Sequence, residues 1–276
     1  MKAVSIIKDV LYGLISGFSE FLPVSSLGHQ SLLMQLFGWR TREPIRDLVI
    51  HIAMIAALLV CNNSFFSSLA RERRIAARGR RLKNQLPRET YDLRIIRSAT
   101  VPLILGLLTY LSSMRLERAL LWVSLFFCIN GVILFIPDYV RGSNKDAKSM
   151  SGLDGILLGM LGILSVFPGI SRTGVMCAYA SIRGGAKSHA LNWVLAISLP
   201  ALIVFCVFDV LLLLTYGATI TFIAVLGYLL SAGAAFCGSY LSIVLMRFLT
   251  VRAGYSGFAY YSWGASLFTL ILYLIT

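Results

Sequence analysis

Two long hydrophobic stretches of this chain are broken in the middle by near-matching polar sequences, and those breaks constrain the fold more than anything else in it. Residues 3–37 carry Phe21-Leu22-Pro23-Val24-Ser25-Ser26-Leu27-Gly28, and residues 153–183 carry Phe167-Pro168-Gly169-Ile170-Ser171-Arg172-Thr173-Gly174. Each break has Phe and Pro, then Ser-Ser-x-Gly or Ser-Arg-x-Gly. Pro and Gly stop a helix and free backbone polar groups. The surrounding apolar runs lie near 48–66, 98–112, 119–137, 190–214, 219–246 and 257–275. Several of them reach the roughly 20 residues that a bilayer span needs. At membrane depth, freed N–H and C=O groups survive only where protein or a water-filled cavity surrounds them. Two matched, interrupted segments, one in each half, point to an inverted repeat with its site between the repeats.

The expected fold is therefore an all-α integral membrane protein. It has about six full transmembrane helices and two re-entrant helix-loop-helix hairpins, at 3–37 and 153–183, in one membrane domain over 1–276. The first repeat covers about 1–137 and the second about 153–276. Composition agrees: 58% of residues are hydrophobic and only 13% charged, about half the charge of a soluble domain. The net charge of +13 is concentrated between Arg71 and Arg97. A basic run beside two spans fits a cytoplasmic loop, here 67–97, held in by the positive-inside rule and close to anionic headgroups. Membrane lipids, and no nucleic acid, are the expected partners.

With that loop inside, the basic residues Arg141, Lys145, Lys148, Arg183, Lys187, Arg247 and Arg252 all fall inside, and the uncharged turn at 215–218 falls outside. Arg40, Arg42 and Arg46 are the main basic cluster left outside. The two hairpins then enter from opposite faces, and Gly13/Gly17 and Gly155/Gly159 give each small-xxx-small spacing for close packing. Trp39, Tyr139, Tyr216 and Tyr255 fit interface belts. The five cysteines fall singly, without metal or disulfide spacing. Lys2 and Lys8 precede an apolar stretch with no small-residue cleavage site, so the N-terminal segment is expected to be retained.

Chemistry is expected at the breaks. A carboxylate at membrane depth is costly, which makes Glu20 a functional candidate. It can bind a divalent cation, Mg or Ca, or act as a base. Ser25, Ser26 and His29 follow across Pro23, and Ser26 or His29 can be nucleophile or proton carrier. Arg172 sits between Ser171 and Thr173, a setting that suits phosphate oxygens. A helix beginning after Gly174 would add its positive end. The structural alternative is that Arg172 only pairs with Glu20. Asp47, His51 and Asn130 are second-rank candidates.

Glu20-Phe21-Leu22-Pro23-Val24-Ser25-Ser26-Leu27-Gly28-His29 resembles the first signature of the undecaprenyl-diphosphate phosphatase family, the bacitracin-resistance proteins. Pro168-Gly169-Ile170-Ser171-Arg172-Thr173-Gly174 resembles the second. The resemblance covers essentially the whole chain. It implies an inverted-repeat fold in a bacterial plasma membrane, with its site facing outward. It also implies hydrolysis of a polyprenyl (undecaprenyl) diphosphate to the monophosphate, with a divalent metal, for recycling of the cell-wall lipid carrier. By motif position, Glu20, Ser26, His29 and Arg172 fall on catalytic positions. Ser25, Ser171, Arg172, Thr173 and Gly174 fall on the phosphate-binding ones. A homodimer is a further expectation.

The departures concern polar groups. The family signature opens Glu-x-x-x-Glu, whereas this chain has Ser16-Gly17-Phe18-Ser19-Glu20, so Ser16 replaces one of two helical-neighbour carboxylates. Gly162 aligns with a family Gln, Asn192 with a Glu, and Tyr261-Ser262 with a Tyr-Arg. Metal binding and turnover are where these losses bear. The rival expectation is a non-enzymatic lipid-phosphate transporter or binder on the same scaffold.

Overall fold

The structure is a computed structural model, which describes residues 2–77, 88–140, 150–184, 187–218, 220–252 and 254–276. Arg78 to Lys83 of the basic loop, and Arg141, Lys145 and Lys148, lie outside the described residues. Among the described residues there are twelve α-helices and no strand. They are α1 (Lys2–Glu20), α2 (Ser26–Phe37), α3 (Pro44–Cys61), α4 (Asn63–Ala77), α5 (Arg88–Leu107), α6 (Tyr110–Ser113), α7 (Leu120–Tyr139), α8 (Gly152–Gly162), α9 (Arg172–Ile182), α10 (Lys187–Tyr216), α11 (Phe222–Arg252) and α12 (Ser256–Ile275).

Five helices, α3, α7, α10, α11 and α12, are long and apolar enough to cross a membrane. The crossings number six if the pair Asp92–Leu107 and Tyr110–Arg118, bent by 49°, counts as one span. The bend lies after Leu107, not at Pro102, which stays inside α5. Many outward-facing side chains are large and apolar, among them Leu214, Phe222, Leu229, Leu267 and Leu274. Water would not tolerate so continuous an apolar exterior, and lipid does. Inside, Trp193, Phe127, Met54, Leu58, Leu103 and Leu134 form the sealed core.

The glycine pairs set how the hairpins pack. A Cβ on Gly13 or Gly17 would lie 2.2 Å from the carbonyl oxygen of Ser231 or Ala235, so α1 lies directly along α11. A Cβ on Gly159 would lie 2.0 Å from the Ala99 carbonyl oxygen, so α8 lies along α5 in the same way. Both pairings run parallel, since residue numbers rise together along each. The first hairpin therefore starts at the α11 N-terminal end. The second starts at the α5 N-terminal end, where Arg183 closes its base on Asp154 at 2.7 Å.

One belt residue is corrected by the structure. Tyr139 and Tyr216 are exposed at helix ends, but Tyr255 is only 2% exposed. It packs inside, within reach of the Ser181 hydroxyl at 3.5 Å.

Candidate functional site at the junction of two helix breaks

The two breaks meet, and the same small device builds both. Ser25 caps α2 and its hydroxyl accepts the Gly28 N–H; Ser171 caps α9 and its hydroxyl accepts the Gly174 N–H. Each satisfies one of the orphan donors at a helix start. Each also reaches across to the other break. The Ser25 hydroxyl accepts the Gly169 N–H at 3.0 Å, and the Ser171 hydroxyl donates to the Leu22 carbonyl at 3.0 Å. Asn130 on α7 completes the stitch. Its amide donates to the Pro23 carbonyl at 3.1 Å and the Ser262 hydroxyl at 2.9 Å, while its oxygen accepts the Ser171 N–H at 2.9 Å.

This geometry strains the chain at one place. Ser25 has φ 65°, the one described non-glycine residue with positive φ. That conformation is costly for a side chain bearing Cβ and is held only by surrounding bonds. In the other break the cap Ser171 keeps an ordinary φ of −88°, and the sharp turn falls two residues earlier at Gly169, φ 124°, without such a cost.

The two helix starts bring Ser26 and Arg172 to equivalent first positions. The helix α9 begins at Arg172, three residues earlier than a start after Gly174, because Ser171 rather than Gly174 supplies the cap. Gly174 is thus a third helical residue, not a helix boundary. The Arg172 Nη2 donates to Glu20 Oε1 at 2.5 Å, with both side chains largely buried. Thr173 anchors the same corner through its hydroxyl to the Glu20 carbonyl at 3.2 Å. The Ser26 hydroxyl donates to the Ser16 carbonyl at 3.1 Å. Glu20, Ser25, Ser26, Ser165, Ser171 and Arg172 line one cavity of about 20 Å³, room for roughly one water. Arg172 Nε, buried there, has no partner among the described residues.

Other candidates lie apart from this cavity. His29 sits a turn further along α2 and is not among its lining residues. His29 Nδ1 faces the Ser25 carbonyl at 2.7 Å and Nε2 faces the Tyr261 hydroxyl at 2.6 Å. A carbonyl only accepts, so Nδ1 carries the proton and Nε2 accepts from Tyr261. His51 pairs with Asp209 at 2.6 Å behind Phe205, whose ring it stacks on. Asp47 belongs to a buried network: Arg42 contacts Asp47 at 3.0 Å and Glu117 at 2.8 Å, and Arg46 contacts Asp9 at 3.2 Å. Arg42 and Arg46, left outside by the charge count, are thus neutralised within the protein. Asp209 sits inside an apolar run, and that alone could have singled it out. Asn192 lines a different cavity, with Asn62 and Arg247.

The donor set does not make a resident divalent metal site. Among the described residues no group of three or more His, Cys, Asp or Glu is placed to hold a metal ion. Glu20 is the cavity's only carboxylate and already serves Arg172. Ser16, one turn before it, is fully buried with its hydroxyl unpartnered among the described residues. That hydroxyl is a poor substitute for a second anionic oxygen ligand.

Fold and site together define a multi-pass helical membrane protein with a buried, arginine-centred pocket where two broken helices meet. A family model described as bacitracin resistance protein BacA matches residues 9–268, and the chain belongs to that family. It is 26% identical to the undecaprenyl-diphosphatase of Carboxydothermus hydrogenoformans over 266 residues, 95% of each chain. It is 29% identical to that of Thermosipho africanus over 262 residues, 91% of this chain and 94% of the relative. With that of Myxococcus xanthus it shares 29% over 209 residues, 74% of this chain and 69% of the relative.

Proposed function

We propose that this protein is a membrane phosphatase that hydrolyses a polyprenyl diphosphate, the undecaprenyl lipid carrier, to the monophosphate. One observation carries the reading: Glu20, Ser26 and Arg172 line a single cavity between two helix starts. A guanidinium and two positive helix ends suit the terminal phosphate. Family membership supplies the substrate class.

The cavity is too small for a diphosphate as it stands, so binding must part the Arg172–Glu20 pair. Arg172 then turns its fork to the phosphate oxygens, and Glu20 is freed beside Ser26. The Ser26 oxygen attacks the terminal phosphorus and its proton passes to Glu20. The bridging P–O bond breaks and the lipid monophosphate leaves. Water then cleaves the phosphoserine and releases phosphate. Ser25, Ser171, Thr173 and Gly174 hold the two helix starts in register for this chemistry. His29, turned toward Tyr261, positions the Ser25 backbone. Glu20 is the one carboxylate in the cavity that a divalent cation carried by the diphosphate would meet, and such a cation would supply charge neutralisation there; no step above runs through it. The site opens to the outer side of a bacterial plasma membrane, and a homodimer is compatible with the exposed apolar faces.

The test is phosphate release by the purified protein from a long-chain polyprenyl diphosphate, with and without divalent cation. Ser26→Ala should remove release and the trapped phosphoenzyme, while His29→Ala should keep the phosphoenzyme. A parent protein that releases no phosphate would sink the hydrolase reading. An active Ser26→Ala variant would move the attack to another group. No observation of its own favours the transporter reading.

A further inference from the structure

Gln30 is an amide sealed inside the protein, on the same helix as Ser26. It lies four residues after Ser26, so on α2 the two side chains share a face. Burying an amide is costly unless it is hydrogen-bonded, and here both of its ends are bonded. Arg42 Nη2 donates to Gln30 Oε1 at 3.0 Å. A guanidinium only donates, so the facing atom is the oxygen and the amide orientation is fixed. The nitrogen therefore points the other way, where Gln30 Nε2 donates to the Ser26 hydroxyl oxygen at 3.5 Å.

Arg42 is held too firmly to release this arrangement. Its Nε donates to Glu117 at 2.8 Å, and its Nη1 to Asp47 at 3.0 Å and the Tyr12 hydroxyl at 3.3 Å. The guanidinium is thus tied to α1, to α3 and to the turn before α7. From it the donors run one way: Arg42 to Gln30, Gln30 to Ser26, and Ser26 to the Ser16 carbonyl at 3.1 Å. Each bond in such a row polarises the next. Because Gln30 offers Ser26 only an N–H, the Ser26 proton is turned toward α1, the helix that ends in Glu20. A methionine would fill the same space, so packing alone does not call for an amide here.

We propose that Gln30 is a positioning residue for the nucleophile: braced by Arg42, it holds the Ser26 oxygen, directs its proton toward α1, and closes on that oxygen as negative charge builds there during attack. The proposal rests on the phosphatase reading, in which Ser26 attacks phosphorus and gives its proton to Glu20. No covalent bond to Gln30 forms or breaks. The contact is long at rest, as contacts to reacting groups commonly are before substrate binds, and it tightens in the transition state. Gln30 does not line the cavity, so it acts on the serine and not on the phosphate.

Steady-state kinetics read beside thermal melting test it. Gln30→Met keeps the bulk of the side chain and removes both bonds. It should cost only about 2–4 °C in melting temperature, the worth of one net hydrogen bond in a chain of this size. KM should stay at the parent value while kcat falls about 10²-fold, the usual loss for one donor to a reacting oxygen. The burst of phosphoenzyme should slow by the same factor. Gln30→Asn, too short to span Arg42 and Ser26, is the second variant where the methionine prevents folding, and the same split between kcat and KM is expected. If Gln30 served only as an acceptor for Arg42, the folded variants would keep the parent kcat. That result, or a fall in kcat that merely accompanies a matching rise in KM and a large loss of melting temperature, overturns the proposal and leaves the hydrolase reading standing. A parent that releases no phosphate overturns both.

Discussion

Arg172 carries both a structural and a chemical burden, and its substitutions separate the two. Lysine keeps the charge but loses the planar fork that serves Glu20 at rest and turns to the phosphate on binding. Arg172→Lys should therefore fold and lose roughly 10²-fold in turnover, the cost of one transition-state donor. Arg172→Ala should also lose about 3–5 kcal/mol of stability, because a buried carboxylate is left without its partner. Thermal melting read beside turnover distinguishes these outcomes; a stable Arg172→Ala protein with normal turnover would make the pair incidental. Ser16 poses the complementary question. It lies four residues before Glu20, so on α1 both side chains face the same way. Ser16→Glu should raise divalent-dependent phosphate release, and should melt lower in chelator than the parent because two carboxylates then repel. Unchanged melting in chelator would mean the new carboxylate does not reach Glu20.

At the scale of elements, the sequence disclosed the hairpins because Pro and Gly interrupt runs that are otherwise uniformly apolar. It singled out Glu20, Ser26 and Arg172, which share one cavity in the structure, because charge and hydroxyls at such breaks have few other reasons to be there. It did not disclose which helix start belongs to which cap. Ser171 and Gly174 both stop or start helices, and only the bond from the Gly174 N–H to the Ser171 hydroxyl decides between them. It also hid the Arg42, Asp47 and Glu117 cluster, whose members are far apart in sequence and meet only in the packed bundle. The close approach of the breaks gives a prediction. A Cβ on Gly28 would meet the Phe127 ring at 2.6 Å and the Gly169 nitrogen at 2.9 Å, whereas at Gly174 the nearest atom is 3.0 Å away. Gly28→Ala should therefore lower the melting temperature and the turnover more than Gly174→Ala does. The base of the second hairpin gives another. Burial works against the ionised Asp154 carboxyl, but hydrogen bonds from the Ser151 N–H, Arg183, Tyr179 and the Ser151 hydroxyl outweigh it and hold its pKa down at about 2. Its stabilisation is full above the ordinary value of 3.8 and is lost as the pH falls toward 2. Acid melting curves of the parent should drop through that window, and Asp154→Asn should flatten the drop.

For the whole molecule, contacts sort the helix ends onto two sides. The Ser256 N–H at the start of α12 donates to Asp138 near the end of α7 at 2.7 Å, so those two ends lie together. Arg247 near the end of α11 reaches Asn62 at the end of α3, and the α10 start lines the same cavity. Lys187, Arg183, Arg247 and Arg252 therefore gather on one side. The opposite side carries the uncharged turn between Tyr216 and Phe222, where α10 gives way to α11. By the positive-inside rule the first side is expected to be cytoplasmic. The first hairpin starts near the α11 N-terminus, where a Cβ on Gly227 would lie 2.5 Å from Asp9, and on that expectation opens to the outside. Two exposed tyrosines at opposite ends, Tyr139 at 68% and Tyr216 at 78% exposure, make a matched pair of probes. On a background freed of the five native cysteines, Tyr216→Cys should react with an impermeant maleimide in intact cells. Tyr139→Cys should react only after the membrane is permeabilised. Reversed labelling would turn the molecule over, placing the Glu20–Arg172 hairpin mouth on the cytoplasmic side and the Arg247 cavity outside. Labelling of both in intact cells would instead break the assignment of α7 and α10 as full crossings.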